Sequence, residues 1–356
     1  MKIFAKQYCE NGRRHILFFG KKIISYGKRK KTKVVLINYT DSKKYGKIYC
    51  PIYNPVSAIK GDIPDIYNKD GRKMDMFFLR DGCSAHIPYV YQSQYFLWDR
   101  FNIALPVHFY THGAMLETMG NPKKRFGWLL ESSGIVPETY KIFDLHPGLE
   151  KDFDAILTYD DRLLDKLNNA VFMPGCAQLW YGVFPRDLGG GGTLDEQGYR
   201  HKTKNISIVS SDKRMCALHN FRIALAKKCK EENLADTFGT FDGGSMIPIA
   251  DSLANYRYSI AIENEVTDLF FTEKIVNCFA SMTVPIYLGA RKIDKFFNPD
   301  GIITISENDF DNLPKILQQC TPNDYIQRLP AIKENFFRSL EYANMDDYLY
   351  KKLFLK

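Results

Sequence analysis

The stretch Tyr256–Gly289, YRYSIAIENEVTDLFFTEKIVNCFASMTVPIYLG, decides how this chain of 356 residues is read. Tyr258-Ser259-Ile260-Ala261-Ile262 is an apolar run that stops at Glu263-Asn264. That composition, ending in polar residues, predicts a buried strand. Thr272 is a suitable N-cap, and Ile275, Cys278, Phe279 and Met282 recur at i, i+3, i+4 and i+7, the stripe of a helix with one buried face. Val284-Pro285-Ile286-Tyr287-Leu288 is the next strand, closed by Gly289. Polar residues gather at the end of the first strand (Glu263, Asn264) and at the start of the helix (Thr272, Glu273, Lys274). A helix N-terminus favours anions through its free N–H groups and dipole. Lys274, in the first turn, runs against that dipole and calls for another partner, for which a phosphate oxygen is suited. A carboxylate beside it can accept both hydroxyls of a ribose, and Phe270 offers a ring face to a base or a sugar. Spacing alone fits an ordinary surface helix with an adjacent charged pair equally well.

The alternation of strand and helix continues on both sides. Ile206–Val209 is a strand leading into Ser210-Ser211, a helix is expected from Leu218 to Lys228, and Ile302–Ile305 is a further strand. Upstream, Val34–Tyr39, Phe126–Leu130 and Asp154–Tyr159 read as strands, and Asp161 opens a helical pattern. Such alternation predicts parallel sheets. A chain of this length supports more than one core, so two α/β domains are expected, over residues 33–185 and 205–330, with a helical, aromatic-rich tail over 331–356. Between them lies Gly189-Gly190-Gly191-Gly192, with no Gly-Lys-Ser/Thr after it. Four consecutive glycines disfavour regular structure, and residues 186–204 read as a linker or mobile loop.

Charge separates a third region. The chain holds 49 Lys and Arg against 41 Asp and Glu, but residues 1–33 alone contain eleven basic residues and one acid, Glu10. The body is nearly neutral, which argues against a nucleic-acid-binding face. Residues 1–32 read as a basic arm, solvated and partly disordered or attracted to an anionic membrane surface, since Ile16-Leu17-Phe18-Phe19 beside Lys21 and Lys22 mixes apolar and basic groups. No run reaches the roughly 18 apolar residues that span a bilayer, and the start lacks a signal-peptide core. The eight cysteines are scattered with no C-x-x-C pair, which argues against a zinc site or a disulfide framework. His86, His108, His112 and His146 are dispersed and read as polar or core histidines rather than ligands.

The long stretch quoted first resembles the C-terminal signature of the α-1,3-fucosyltransferases, glycosyltransferase family ten, in its bacterial surface-polysaccharide form. The family pattern F-E-N-S, D-Y-x-T-E-K and V/I-P-I/V-x-x-G is met here by Ile262-Glu263-Asn264-Glu265, Phe270-Phe271-Thr272-Glu273-Lys274 and Val284–Gly289. Two departures stand out: Phe270 replaces the usual Tyr, and Glu265 replaces Ser. The resemblance implies a GT-B-like fold, two Rossmann-like domains facing a central cleft. It also implies metal-independent, inverting transfer of fucose from GDP-fucose, with no cofactor.

By the same resemblance Glu273 holds the ribose and Lys274 the diphosphate, with Glu263, Asn264 and Phe270 in the donor site and Thr272 and Ser210 as weaker candidates. Leu218-His219-Asn220-Phe221-Arg222 matches a bacterial G-H-x-x-R helix whose arginine grips the donor phosphates. A guanidinium fork suits such oxygens. Arg222 is the candidate and Arg214 its competitor, because the loop length leaves the register open. In the first domain, Gly127–Ser132 matches an aromatic-rich strand that ends in a glutamate. A carboxylate at a strand end can take the acceptor hydroxyl's proton, and Glu131 is expected to be that base, with Glu138 and Asp144 as weaker rivals.

The function expected is therefore fucosyl transfer to lipopolysaccharide or another cell-surface glycan, lipid-linked acceptors included, by an enzyme in the cytoplasm, peripheral on the inner face of the membrane. A GT-B transferase using another nucleotide sugar, or a non-catalytic glycan-binding or scaffold protein, are the alternatives.

Overall fold

The computed structural model describes residues 4–8, 14–18 and 21–26 at the level of the backbone, and residues 66–355 apart from 69, 82–92 and 101. The strand expected over Val34–Tyr39, together with Cys9, Cys50, Cys83 and His86, lies outside them. Within the basic arm, β1 (Phe4–Tyr8), β2 (Arg14–Phe18) and β3 (Lys21–Tyr26) form an antiparallel meander. Phe4 pairs with Phe18, and the register shifts between Ile16 and Leu17.

The first α/β unit is built on β5 (Lys73–Arg80), β6 (Phe96–Asp99), β7 (Val107–Thr111), β8 (Lys124–Trp128), β9 (Ala155–Thr158) and β10 (Ala170–Phe172). They pair in parallel in the order β6-β5-β7-β8-β9-β10, and a short antiparallel strand, β4 (Ile66–Tyr67), borders the start of β5. Short helices α1 (Pro137–Tyr140), α2 (Ile142–Leu145) and α3 (Asp161–Lys166) lie between the later strands. Asp160 caps α3 by accepting from Leu163 N, which explains why the helix starts where the sequence turns polar.

The second unit has β11 (Lys204–Val209), β12 (Asp236–Phe238), β13 (Tyr256–Ile262), β14 (Val284–Leu288) and β15 (Ile303–Thr304), all parallel in the order β12-β11-β13-β14-β15. Its helices are α4 (Ala217–Glu231), α5 (Ile249–Leu253), α6 (Glu273–Ala280) and α7 (Leu313–Gln319). β14 is buried along its whole length and β13 nearly so, as befits strands covered on both faces. In chain order the parallel strands run 2-1-3-4-5-6 in the first sheet and 2-1-3-4-5 in the second, the doubly wound pattern in which ligands bind outside the carboxyl ends of the strands where the winding reverses. That reversal falls between β5 and β7 in the first sheet and between β11 and β13 in the second.

Two features tie the units together. The tail is helical, as expected, in α8 (Pro322–Ser339) and α9 (Met345–Phe354), but α9 packs on the first sheet. Tyr350 stacks near Phe77 and Phe96 and donates to Asp75, Asp346 accepts from Trp98 Nε1 at 3.0 Å, and Asp347 accepts from Ser93 and Gln94. The glycine run is the second feature, and it is not a slack linker. A Cβ on Gly190 would lie 2.0 Å from the Phe184 carbonyl oxygen, and Gly191 has φ +87°. Gly191 N–H donates to Phe184 O, and Gly191 O accepts from Gly182 N–H at 2.8 Å. The glycines allow a tight, packed crossing that larger residues would block.

Candidate active site

The polar end of β13 splits in two directions, because successive residues of a strand face opposite sides. Glu263 turns inward and is 0% exposed. It accepts from Thr272 N (2.9 Å), Thr272 Oγ1 (2.7 Å) and Lys274 Nζ (3.3 Å), pinning the first turn of α6 to the sheet. Burial raises its pKa, opposed by Lys274. Thr272 caps α6 as expected, its Oγ1 accepting from Lys274 N at 3.3 Å. Lys274 Nζ lies 3.4 Å from Glu273 Oε1 as well. Burial presses its ammonium towards neutrality, but Glu273 and Glu263 outweigh burial and hold its pKa above the ordinary lysine value.

Arg222 enters from α4, nearly buried, and donates from Nη1 to Ile262 O at 2.9 Å. Its Nε is buried without a hydrogen-bond partner among the described residues. Burial lowers its pKa, with Glu263 opposing; a guanidinium nonetheless stays charged. One turn earlier His219 accepts from Met215 N–H at Nδ1 (3.1 Å), so its proton sits on Nε2 and is donated to Asn264 Oδ1 at 3.0 Å. This leaves the Asn264 amide N–H groups free to face a ligand.

The first unit supplies the opposite wall. β8 delivers Leu129, Leu130 and then Glu131 at its carboxyl end. Beneath that end sits His112, whose Nε2 accepts from Leu130 N (3.2 Å) and Glu131 N (3.1 Å), while Nδ1 meets Thr139 Oγ1 at 3.0 Å. Burial lowers the His112 pKa to about 4, so the ring is neutral and its Nε2 lone pair is available for both amides. Tyr140 donates to Glu131 O at 2.6 Å. The Glu131 carboxylate accepts from Ser132 N at 2.8 Å. Burial raises its pKa, and the Ser132 amide and Lys274 pull the other way.

These walls enclose a cavity of about 440 Å³, lined by Glu131, Ile135 and Val136 from the first unit and by Lys213, His219, Arg222, Asn264, Glu273 and Lys274 from the second. A second lobe of about 230 Å³ opens beside it, lined by apolar residues of β11, β13, α5 and α6 such as Val209, Ile249, Ile260 and Ile262. Ser211, Arg222, Glu273 and Lys274 line both lobes and form the neck between them. The neck lies at the carboxyl ends of β11 and β13, where the second sheet's winding reverses. An apolar lobe, a neck with two cations and a carboxylate, and a polar lobe with a second carboxylate suit a nucleoside, its ribose and diphosphate, and a sugar, in that order.

Several expected donor residues stand elsewhere. Phe270 is buried against Tyr159 (ring centroids 4.5 Å apart) and Gly175, so its ring presents no face to a ligand. Glu263 is likewise interior and acts through Thr272 and Lys274. Ser210 is buried and donates to Ser211 O, and Ser211 lines the cavity instead. Arg214 is exposed and reaches Asn220, leaving Arg222 on the wall. Glu138 pairs with Lys141, and Asp144 with Arg162 and Lys166, both away from the cavity. Lys213 and His219 were not anticipated. His219 was legible three residues before Arg222, since i and i+3 share a helix face.

Two doubly wound units whose carboxyl edges converge on one cavity define the GT-B class of fold. Residues 199–327 match the family model "Glycosyltransferase family 10 (fucosyltransferase) C-term". A stretch of 92 residues is 32% identical to the alpha-(1,3)-fucosyltransferase FucT of Helicobacter pylori, covering 26% of this chain and 17% of that protein. Among solved structures, an alpha1,3-fucosyltransferase with GDP-fucose aligns at 15% identity over 81% of this chain and 92% of its own, with a TM-score of 0.44. Anabaena HepE in complex with UDP and glucose aligns at 10% identity over 79% and 99%, with a TM-score of 0.48.

Proposed function

We propose that the protein is an inverting, metal-independent fucosyltransferase that moves fucose from GDP-fucose to a hydroxyl of a lipopolysaccharide or similar surface glycan. The observation that carries the reading is Glu131 facing Arg222, Glu273 and Lys274 across one cavity. The nucleoside fills the apolar lobe, Glu273 takes the ribose hydroxyls, and Arg222 and Lys274 hold the diphosphate. Glu131 accepts the proton of the acceptor hydroxyl as its oxygen attacks the anomeric carbon from the face opposite the leaving group. The bond to the β-phosphate oxygen breaks, and the two cations meet the charge that develops there. A thermal-shift screen with GDP, UDP, CDP and their sugars tests the donor. GDP and GDP-fucose at saturating excess are expected to stabilise the protein by roughly 3–4 kcal/mol. Stabilisation by UDP-sugars alone would replace the donor, and none at all would favour a non-catalytic glycan binder.

The basic composition of residues 1–32 supports a place in the cytoplasm against an anionic membrane, where a lipid-linked acceptor is presented. No helix of the described residues is long and apolar enough to cross a membrane. Deleting residues 1–32 is expected to release the protein from acidic liposomes while GDP binding persists. Undiminished liposome binding would contradict this use of the arm.

A further inference from the structure

Glu265 is the acid that replaces a serine in the resemblance, and the cavity leaves it unused. Its carboxylate points away from the cavity and crosses to the first unit. There it accepts from Ser133 N (3.0 Å), Ser133 Oγ, Gly134 N (3.1 Å) and the Tyr159 hydroxyl. Tyr159 in turn accepts from Ser133 N at 2.8 Å and lies 3.4 Å from Glu131 O. The turn that Glu265 grips is therefore the one that begins at Glu131. Its inner end is fixed within the first unit by His112 and Tyr140, but its outer end is held by the residue next to Asn264, on the donor side.

We propose that Glu265 is a positioning residue that makes the placement of Glu131 depend on closure of the cleft. When the two units separate, Ser133 Oγ and Gly134 N lose their acceptor, Ser133 N is left with Tyr159 alone, and the turn carrying Glu131 loosens at its outer end. When they meet, one carboxylate gathers four donors, and ionised acceptors make the stronger hydrogen bonds. The base is thus in place only while the second unit, with its donor site, is docked. The inference rests on the reading of Glu131 as the base.

The test compares Glu265→Ala, Ser133→Ala and the double variant with wild type, with Glu131→Gln as reference. A displacement of about 1 Å in a reacting group can cost about 100-fold in rate, and a drop in kcat of that order is expected for Glu265→Ala. GDP affinity should stay within about threefold, because the apolar lobe is lined by the second unit alone. The acid limb of the pH profile should move to lower pH, since a loosened turn lets water reach the Glu131 carboxylate. Ser133→Ala, the milder change, should shift kcat the same way by less, and the double variant should lose no more than Glu265→Ala. Wild-type kcat and acid limb in both single variants would overturn the proposal, and so would parallel loss of kcat and GDP affinity. If Glu131→Gln keeps turnover, it is the reading of the base that fails first.

Discussion

Glu131→Gln is expected to lower transfer by about 10³-fold or more while GDP binding persists, since a general base contributes roughly 10²–10⁴-fold. The substitution keeps the shape and the contact with Ser132 but removes the lone-pair charge that takes the proton. In the proposed mechanism the same group sets the acid limb of wild-type transfer. Burial raises the Glu131 pKa, so transfer should fall as the pH drops through a value above the ordinary glutamate figure of about 4.3. Stability carries the opposite sign. A carboxyl whose folded pKa lies above its unfolded one is stabilising when protonated and loses that contribution as pH rises through the folded value. At pH 7 Glu131→Gln should therefore melt higher than wild type, and the difference should shrink in acid. Loss of transfer together with a lower melting temperature would point to a damaged fold instead of a missing base. Retained turnover would exclude Glu131 from the role.

Lys274→Ala has two consequences that must be separated. Hydrogen bonds to charged groups are worth about 1.5–3 kcal/mol, so GDP affinity should drop roughly 10- to 100-fold. The substitution also strips the buried Glu263 carboxylate of its ammonium at 3.3 Å. Orphaning one partner of a buried pair costs about 3 kcal/mol at the low end, and Lys274→Ala alone should melt well below wild type. Adding Glu263→Gln removes the orphaned charge while keeping an acceptor for Thr272 N. The double variant should regain most of the stability and none of the GDP affinity. Recovery of GDP affinity in the double variant would show that Lys274 supports α6 and does not touch the donor.

Both experiments turn on how much of the site could be read from residue order. Strand and helix placement around β13, α6 and β14 follows from periodicity, because the buried stripe of Ile275, Cys278 and Phe279 and the fully buried Val284–Leu288 have few other ways to hide. The strands over Lys73–Arg80, Phe96–Asp99 and Val107–Thr111 were not anticipated, because Met76–Leu79 and Phe96–Trp98 are short apolar runs that periodicity does not separate from buried helix, and His108 interrupts the third. At the site, the spacing of Glu273 and Lys274 located the neck, but adjacency misled for Glu263 and Phe270. Neighbours along a chain share a motif without sharing a direction, and only the pleat of β13 and the packing of Tyr159 on Phe270 decide which of them meets solvent. The role of His112 has no sequence signature at all, because two amides eighteen and nineteen residues away converge on one imidazole nitrogen. Glu265 was legible as an anomaly near a diphosphate, and its direction became clear only with the first unit in place.

The helix α9 gives the order of synthesis a cost. Phe77 and Phe96 lie far upstream of the rings that pack on them, Tyr350 and, beside Phe77, Phe354, so these contacts form only after the second unit has been made. A nascent first unit leaving the ribosome has its strands but not its lid, and exposed apolar surface of this kind invites aggregation. It cannot finish as an independent domain while the rest is still being translated. The cooperative unit of folding spans both α/β units, and a truncation that spares every residue of the cavity but removes α9 would still leave the unit that carries Glu131 unfinished.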